Sequence, residues 1–288
     1  MKGLKGKGKP AVVGVLKSLS VQEALRAKES GADAVELRID LLNLDLERGE
    51  KVNLERGGKG EEEGVEKVRE FVARFKKEGG GLPIIATNRR KEEGGSFRGT
   101  EEERVGLLTR LLETAELDAV DIEFFAPEAG KKAVLETARR HRRTVILSFH
   151  DFTGMPSREE ILEIVARMHE EGGGTGEGGC VAKIAVTPRT LGDALFLLDL
   201  TYKLSSEGKA VATIGMGAVG RHLRVVAPLY GSALTYGFLE GGEGEEGEGG
   251  EEGEEGEEGE EGEEGGVAVA PGQFSVKELR GMLQNLIF

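Results

Sequence analysis

The sequence predicts an α/β fold, a (β/α)8 TIM barrel with a low-complexity Glu/Gly insertion after the eighth strand. Eight short β-branched runs alternate with segments of helical apolar spacing, a pattern typical of parallel sheets. These units occupy the 261 residues that remain when a Glu/Gly run at 240–266 is removed from the 288. That length is close to the ~250 residues of such barrels. The alternative is an open doubly wound sheet, but its usual glycine-rich dinucleotide fingerprint is absent after the first predicted strand.

Each predicted element rests on its own periodicity. The runs predicted as strands are residues 11–16, 34–40, 83–88, 119–124, 144–150, 181–186, 210–216 and 234–238. Helical spacing is clearest in four sets: Val21, Ala24 and Leu25; Ile161, Ile164, Val165 and Met168; Leu191, Ala194, Leu195 and Leu198; and Val276, Leu279, Leu283 and Leu286. Helices between strands are the connections that parallel neighbours need.

The domain organisation follows from composition. Residues 240–266 contain only Glu and Gly, with 15 Glu and 12 Gly. The whole chain has a net charge of −14, but outside this run 39 basic residues face 38 acidic ones. We therefore predict a flexible basic tail over residues 1–10 and a single barrel domain over 11–288, with 240–266 a disordered acidic insertion. The functional alternatives for the insertion are solubility or docking to a basic partner.

Composition also excludes several classes of protein. A single cysteine, Cys180, allows no intrachain disulfide and no cysteine-based zinc site. No apolar stretch approaches the ~20 residues of a membrane span, and the basic N-terminus does not continue into a signal peptide. We expect a cytoplasmic protein with a small-molecule substrate and no nucleic-acid or membrane partner. The sequence admits a homodimer without deciding the oligomeric state.

Charged residues lie inside the predicted strands. Glu36, Arg38 and Asp40 share one parity of their strand, and the apolar residues of the other parity must face the helices. The charged residues therefore face the barrel axis. The same argument applies to Thr87 and Arg89, Asp121 and Glu123, and Ser148 and His150. A structural ion network is the alternative, but buried charge is costly and structural barrel interiors favour Val, Ile and Leu.

A single lysine, Lys183, lies within the apolar run at 181–186. Partial desolvation and cationic neighbours would lower its pKa from ~10.4 toward neutrality and make the amine a nucleophile. This pattern predicts Schiff-base chemistry on a ketone or aldehyde. His150, at the end of the neighbouring strand, is the candidate proton carrier. Two alternatives stay open at this point, an aldolase-type Schiff-base lyase and a non-catalytic barrel that acts as a binding module.

Seven motifs in order resemble one family, the type I 3-dehydroquinate dehydratases of the shikimate pathway. Any one motif is weak, but seven in family order, each at a strand end, are specific. They are Glu36–Asp40, Thr87–Arg89 with Glu93–Gly95, Ser148–Phe152, Lys183–Ala185, Ile214–Gly217 followed by Arg221, Gly231–Gly237, and Ala270–Val276. The resemblance covers nearly the whole chain and implies a hydro-lyase.

The resemblance implies dehydration of 3-dehydroquinate to 3-dehydroshikimate through an imine. Lys183 would attack the ketone, and His150 would remove a proton from the neighbouring CH2 and later protonate the departing hydroxyl. Glu93 matches the acidic partner that orients this histidine. No metal or organic cofactor is implied, because the lysine supplies the electron sink itself.

The resemblance also implies the substrate-binding residues. Arg89 and Arg221 match the arginines for the substrate carboxylate, a group that suits a planar guanidinium. Glu36 and Arg38 match the pair that contacts substrate hydroxyls. Gln273 matches the glutamine of a loop that closes over the site.

The chain departs from the family pattern in two places. Val269 stands where many members have a serine that contacts substrate, so one hydroxyl contact is lost or comes from elsewhere. The Glu/Gly run interrupts the connection between the eighth strand and the Gln273 loop.

Overall fold

Eight parallel strands form one sheet in the order β7-β6-β5-β4-β3-β2-β1-β8. The computed structural model describes residues 9–42, 59–79, 81–173, 179–240 and 272–286. The strands are β1 (Ala11–Leu16), β2 (Ala34–Arg38), β3 (Ile84–Thr87), β4 (Ala119–Glu123), β5 (Thr144–Asp151), β6 (Cys180–Val186), β7 (Val211–Gly215) and β8 (Leu234–Gly237). All eight predicted strands are therefore confirmed, with small shifts at their ends.

The sheet curls into a nearly closed barrel. β8 pairs in parallel with β1 over Ala11–Gly14. On the other side, the backbone N–H of Ala233 donates to the carbonyl of Val211 at 2.7 Å, so the two ends of the strand order meet. The (β/α)8 prediction is confirmed, and the open doubly wound alternative is wrong.

Nine α-helices lie among the described residues. They are α1 (Val21–Glu29), α2 (Lys59–Lys77), α3 (Glu101–Thr114), α4 (Glu128–Arg140), α5 (Arg158–Gly172), α6 (Leu191–Ser206), α7 (Gly217–Gly220), α8 (Leu223–Val226) and α9 (Val276–Leu286). Three begin with capping boxes, at Thr100, Ser157 and Thr190, in which the side chain satisfies a free backbone N–H. Short 3-10 helices follow at Ile39–Leu41, Lys91–Glu93 and Ala227–Tyr230. None of these helices is both long and apolar enough to cross a membrane.

β2 ends two residues earlier than the periodicity predicts. After Arg38 the chain turns into a 3-10 helix that includes Asp40. The carboxylate of Asp40 accepts two bonds from the Arg38 guanidinium, at 2.9 and 2.7 Å, and one from the backbone N–H of Arg89. These contacts, two of them local and one to a residue just after β3, favour the turn over a longer strand.

The helix predicted around residue 191 is present as α6, but two residues of its predicted apolar stripe are exposed. Leu191 and Leu195 are 69% and 66% exposed. The buried residues of this helix instead include Leu197, Leu200 and Leu204. Helical spacing thus identified the element, whereas packing against the barrel decided which face is covered.

The parity argument for the strands is confirmed at β2. Val35 and Leu37 pack in the outer core between the sheet and the helices. Glu36 and Arg38 alternate with them, are 4% and 8% exposed, and line a cavity on the axis. Below this polar layer the axis is filled by small and branched residues such as Val13, Ile85 and Ile146. The barrel is therefore a packed core with its polar groups at one end.

Several sequence interpretations lie outside the described residues. They concern the basic tail, apart from Lys9 and Pro10, the Glu/Gly run, apart from Glu240, and Val269. These interpretations stay predictions.

Candidate active site

A cavity lies at the carboxyl ends of the barrel strands. Seven of the eight predicted site residues line it: Glu36, Arg38, Arg89, Glu93, His150, Lys183 and Gln273. Five different strand ends or loops contribute them, which is the usual construction of active sites in this fold. The eighth predicted residue, Arg221, is exposed and does not belong to the lining.

Lys183 is held by carboxylates. Its Nζ donates to Oδ2 of Asp121 at 2.9 Å and lies 3.9 Å from Oε1 of Glu36. The sequence predicts cationic neighbours for Lys183, but its ion-pair contacts are with two acids. They fix the amine at one place in a site where the lysine is only 5% exposed.

Asp121 is a site residue that sequence reasoning did not assign. Burial would raise the pKa of this carboxyl, but Arg89 and Lys183 beside it hold the pKa well below its usual range. Its Oδ1 also accepts a hydrogen bond from Ser148 at 2.6 Å. Asp121 is therefore an ionised anchor for the lysine. The parity of β4 placed it on the axis, and that was the signal available in the sequence.

Arg89 organises the acids below the cavity. Its guanidinium donates to Glu123 and to Ser148, both at 2.8 Å, and lies 3.0 Å from Asp121. Burial opposes the charge of this arginine, but Asp121 and Glu123 raise its pKa well above the ordinary value. Behind it, the buried Arg104 pairs with the other oxygen of Glu123 at 2.9 Å. The interior charges are thus paired, as stable buried charges must be.

His150 and Glu93 form a second buried pair. Oε2 of Glu93 accepts a hydrogen bond from the backbone N–H of His150 at 3.0 Å and lies 3.0 Å from its Nδ1. A carboxylate at Nδ1 favours the tautomer that leaves Nε2 as the base. Burial lowers the pKa of His150 well below its ordinary value, and Arg89 and Lys183 lower it further. The ring is therefore neutral near pH 7 and able to accept a proton.

Glu93 titrates in the physiological range. Burial raises its pKa to about 7, against the effect of nearby Arg89. Glu93 is the last residue of the 3-10 helix Lys91–Glu93, which ends at Gly94 with a φ of 80°. A side chain on the Cα of Gly94 would collide with Phe152, so this turn needs glycine. The turn brings Glu93 to the end of β5.

Two neighbouring arginines have different environments. Arg221 lies outside the cavity, with its guanidinium carbon 4.2 Å from the centroid of the Phe274 ring. Arg224, three residues later on α8, is 1% exposed and lines the cavity. Burial lowers the pKa of Arg224 to about 10, and Arg221 contributes to the shift. Sequence reasoning missed Arg224, because the sequence does not show which of the two arginines the short helices place in the cavity.

Gln273 is held over the cavity by the end of β8. The backbone N–H of Phe238 donates to the carbonyl of Phe274, and the N–H of Val276 donates to the carbonyl of Phe238 at 2.9 Å. Gly272, before Gln273, has a φ of 72°, a conformation that side chains disfavour. Gln273 is 8% exposed in this position.

Glu36 and Arg38 complete one wall. Oε1 of Glu36 accepts a hydrogen bond from Thr87 at 2.8 Å, and Arg38 is paired with Asp40. Across the described ranges, no group of three or more His, Cys, Asp or Glu side chains is placed to hold a metal ion. The arrangement can supply an amine nucleophile, an imidazole base and several cations for an anionic, hydroxyl-bearing ligand.

Comparisons with known proteins agree with this chemistry. The sequence model of the family described as type I 3-dehydroquinase matches residues 12–287. A curated 3-dehydroquinate dehydratase of Methanosarcina acetivorans is 35% identical over 279 residues, which cover 96% of this chain and 95% of that protein.

Solved structures give the same picture. The type I 3-dehydroquinate dehydratase of Clostridium difficile, solved with covalently modified comenic acid, superposes with a TM-score of 0.73 and 26% identity. The alignment covers 98% of this chain and 94% of that one. The 3-dehydroquinate dehydratase of Geobacillus kaustophilus, at 22% identity, shares the fold with a TM-score of 0.74, covering 98% of this chain and 93% of its own.

Proposed function

The chain belongs to the type I 3-dehydroquinase family, and we propose that Lys183, His150 and Glu93 carry out the family's reaction in this protein. That reaction is the dehydration of 3-dehydroquinate to 3-dehydroshikimate through a lysine Schiff base, so the protein is a hydro-lyase of the shikimate pathway. Because the chain belongs to this family, the aldolase and binding-module alternatives are no longer needed. The observation that carries the residue assignment is the meeting of Lys183 and His150, on neighbouring strands, in one buried cavity.

The first step is imine formation. Nζ of Lys183, once deprotonated, attacks the ketone carbon, and the resulting carbinolamine loses water to give a protonated imine. The cationic nitrogen then withdraws electrons from the neighbouring C–H bonds. The bond to Asp121 at 2.9 Å supports this role, because it fixes the amine before the substrate arrives.

The second step is elimination. Nε2 of His150 takes a proton from the CH2 next to the imine carbon, and the electron pair forms an enamine. The enamine then expels the substrate hydroxyl, which leaves as water with the proton that His150 returns. Water finally hydrolyses the imine and releases the product and Lys183. The neutral state of His150 supports its assignment as the base.

Glu93→Gln should remove a pH dependence near neutrality. In the unaltered protein, kcat/KM should rise as the pH increases through about 7, because the ionised carboxyl accepts hydrogen bonds from His150 more strongly than the protonated one does. The amide variant should lose this inflection and lose roughly tenfold in activity, the difference between a charged and a neutral acceptor. Glu92→Gln, an exposed neighbour, is the matched control. A rise through pH 7 that persists in Glu93→Gln would show that another group titrates there.

We assign the substrate carboxylate to Arg224 in place of Arg221. Arg224 is the buried cation of this loop that lines the cavity, and a desolvated guanidinium binds a carboxylate more strongly than an exposed one. Arg221 lies outside the lining, against Phe274. Its charge still favours an anion at this end of the cavity.

Arg224→Met should raise KM for 3-dehydroquinate by ~10- to ~100-fold, the usual cost of losing a hydrogen bond to a charged group. The value of kcat should change less, since the carboxylate is bound before and during the reaction. Arg221→Met is the matched control and should change KM less than about threefold. Steady-state kinetics and thermal melting of both variants give the comparison. A large rise in KM for Arg221→Met with little change for Arg224→Met would instead assign the substrate carboxylate to Arg221.

The remaining predicted residues receive supporting assignments. Glu36, Arg38 and Gln273 line the cavity and are proposed to contact the substrate hydroxyls. Arg89 also lines it, but its bonds to interior acids support a role in holding Asp121 and Ser148 in place.

We also propose that the protein is a homodimer. Leu191, Leu195 and Tyr202 lie on one face of α6 and are 69%, 66% and 59% exposed. Leu229 and Tyr230, in the adjoining 3-10 helix, add further exposed apolar surface. Exposed apolar side chains on one helix face support a symmetric self-contact, and the molar mass in solution tests it. A cytoplasmic location and the lack of a nucleic-acid partner stay predictions.

A further inference from the structure

Tyr236 carries a buried hydroxyl that the mechanism does not use. The residue lies in β8, is 5% exposed and lines the catalytic cavity. Its phenol oxygen is buried and has no hydrogen-bond partner among the residues that the structure describes. Buried polar groups are almost always paired, so an unpaired hydroxyl on a residue that lines the cavity needs an explanation.

The aromatic ring alone does not explain why position 236 is a tyrosine. Nζ of Lys183 lies 4.2 Å from the ring centroid, a cation–π contact that phenylalanine would provide equally well. Phenylalanine would also avoid burying an unpaired hydroxyl, which is costly. The hydroxyl is therefore the part of Tyr236 that requires a function.

The surroundings define what the hydroxyl can bind. Burial raises the pKa of Tyr236 well above its ordinary value, and the carboxylates of Glu36 and Asp121 raise it further. The phenol is therefore protonated and can donate a hydrogen bond. The same carboxylates repel an anion, so a neutral oxygen suits this wall of the cavity better than the substrate carboxylate does.

We propose that the hydroxyl of Tyr236 donates a hydrogen bond to a ring hydroxyl of the bound substrate, on the side of the cavity formed by Glu36. This inference rests on the proposed function, because the bond between Lys183 and the ketone carbon is what holds the substrate ring beside Tyr236. The contact makes Tyr236 a specificity-determining residue. It distinguishes a polyhydroxylated ring from a ketone of similar size that lacks the hydroxyl, since such a ketone would leave the buried phenol unpaired.

Tyr236→Phe tests the proposal because it removes a single oxygen and keeps the ring over Lys183. We expect kcat/KM for 3-dehydroquinate to fall by roughly five- to tenfold, the effect of one neutral hydrogen bond. The melting temperature of the free protein should stay equal or rise, because the unpaired hydroxyl is gone.

Substrate analogues that each lack one ring hydroxyl, other than the hydroxyl that is eliminated, identify the contact. For the analogue without the contacted hydroxyl, kcat/KM should be the same for Tyr236→Phe and the unaltered protein. An unchanged kcat/KM with 3-dehydroquinate, a lowered melting temperature, or a loss that persists with every analogue would each overturn the proposal. Borohydride trapping of the unaltered protein separates this result from a failure of the proposed function, which predicts an adduct at Lys183.

Discussion

Lys183→Met will abolish turnover and the borohydride-trapped adduct with 3-dehydroquinate. In the proposed mechanism the amine of Lys183 forms the imine, and a methionine at this position cannot supply the electron sink. We expect activity to fall to near the uncatalysed rate, a loss on the order of 10⁶-fold or more. The assay follows the enone absorbance of the product, and peptide mapping after reduction locates the adduct. Lys183→Ala should behave in the same way.

Lys131→Met is the matched control for this experiment. Lys131 is also buried, at 3% exposure, but it lies on α4, where it pairs with Glu128 and Glu171. Its variant should keep the adduct. The Lys183 variant should still fold, because Asp121 keeps its ion pair with Arg89. An adduct on any other peptide, or substantial turnover by Lys183→Met, contradicts the assignment of the nucleophile.

His150→Ala will slow both imine processing and dehydration while Lys183 still reacts with substrate. A general acid–base group contributes ~10²- to ~10⁴-fold, and the kcat of this variant should fall by that amount. Single-turnover trapping should show that the covalent adduct accumulates, because it forms but is not carried forward. The result would separate the proton carrier from the nucleophile.

The pH profile gives a second test of His150. Because the folded protein lowers its pKa, the imidazole stays neutral below pH 6.5, and base activity should be lost only at lower pH. His169→Ala is the control, since His169 lies on α5 against the carbonyl of Val165. A fall in kcat of less than tenfold in His150→Ala would assign the proton to another group.

Local sequence pattern was sufficient for the barrel and for its polar axis. Strand parity is a period of two residues, so the alternation of Glu36 and Arg38 with Val35 and Leu37 already separates the two faces of β2. The apolar face of the strand then packs against the surrounding helices, and the polar face lies toward the barrel axis. The same reasoning was less successful on α6, where Leu195 has helical spacing and yet is 66% exposed. The spacing of apolar residues predicts a helix, but the elements packed against the helix decide which of its faces is buried.

The choice between Arg221 and Arg224 needed the tertiary structure. The two residues are three positions apart in a loop of short helices, and their chemistry is identical. Only the path of that loop places one against Phe274 and the other in the cavity.

The sequence by itself predicted the fold class and the family, which the structure and the comparisons confirm, because strand periodicity and short motifs are local properties of the chain. The same motifs led to the proposed nucleophile and base. Tertiary structure alone decided that Asp121 holds Lys183 and that the hydroxyl of Tyr236 is buried without a hydrogen-bond partner among the described residues. Asp121 and Lys183 are 62 residues apart in the chain. The two side chains come within hydrogen-bond distance only once the strands have closed around a common axis. The burial that shifts the pKa values of Glu93 and His150 arises in the same way.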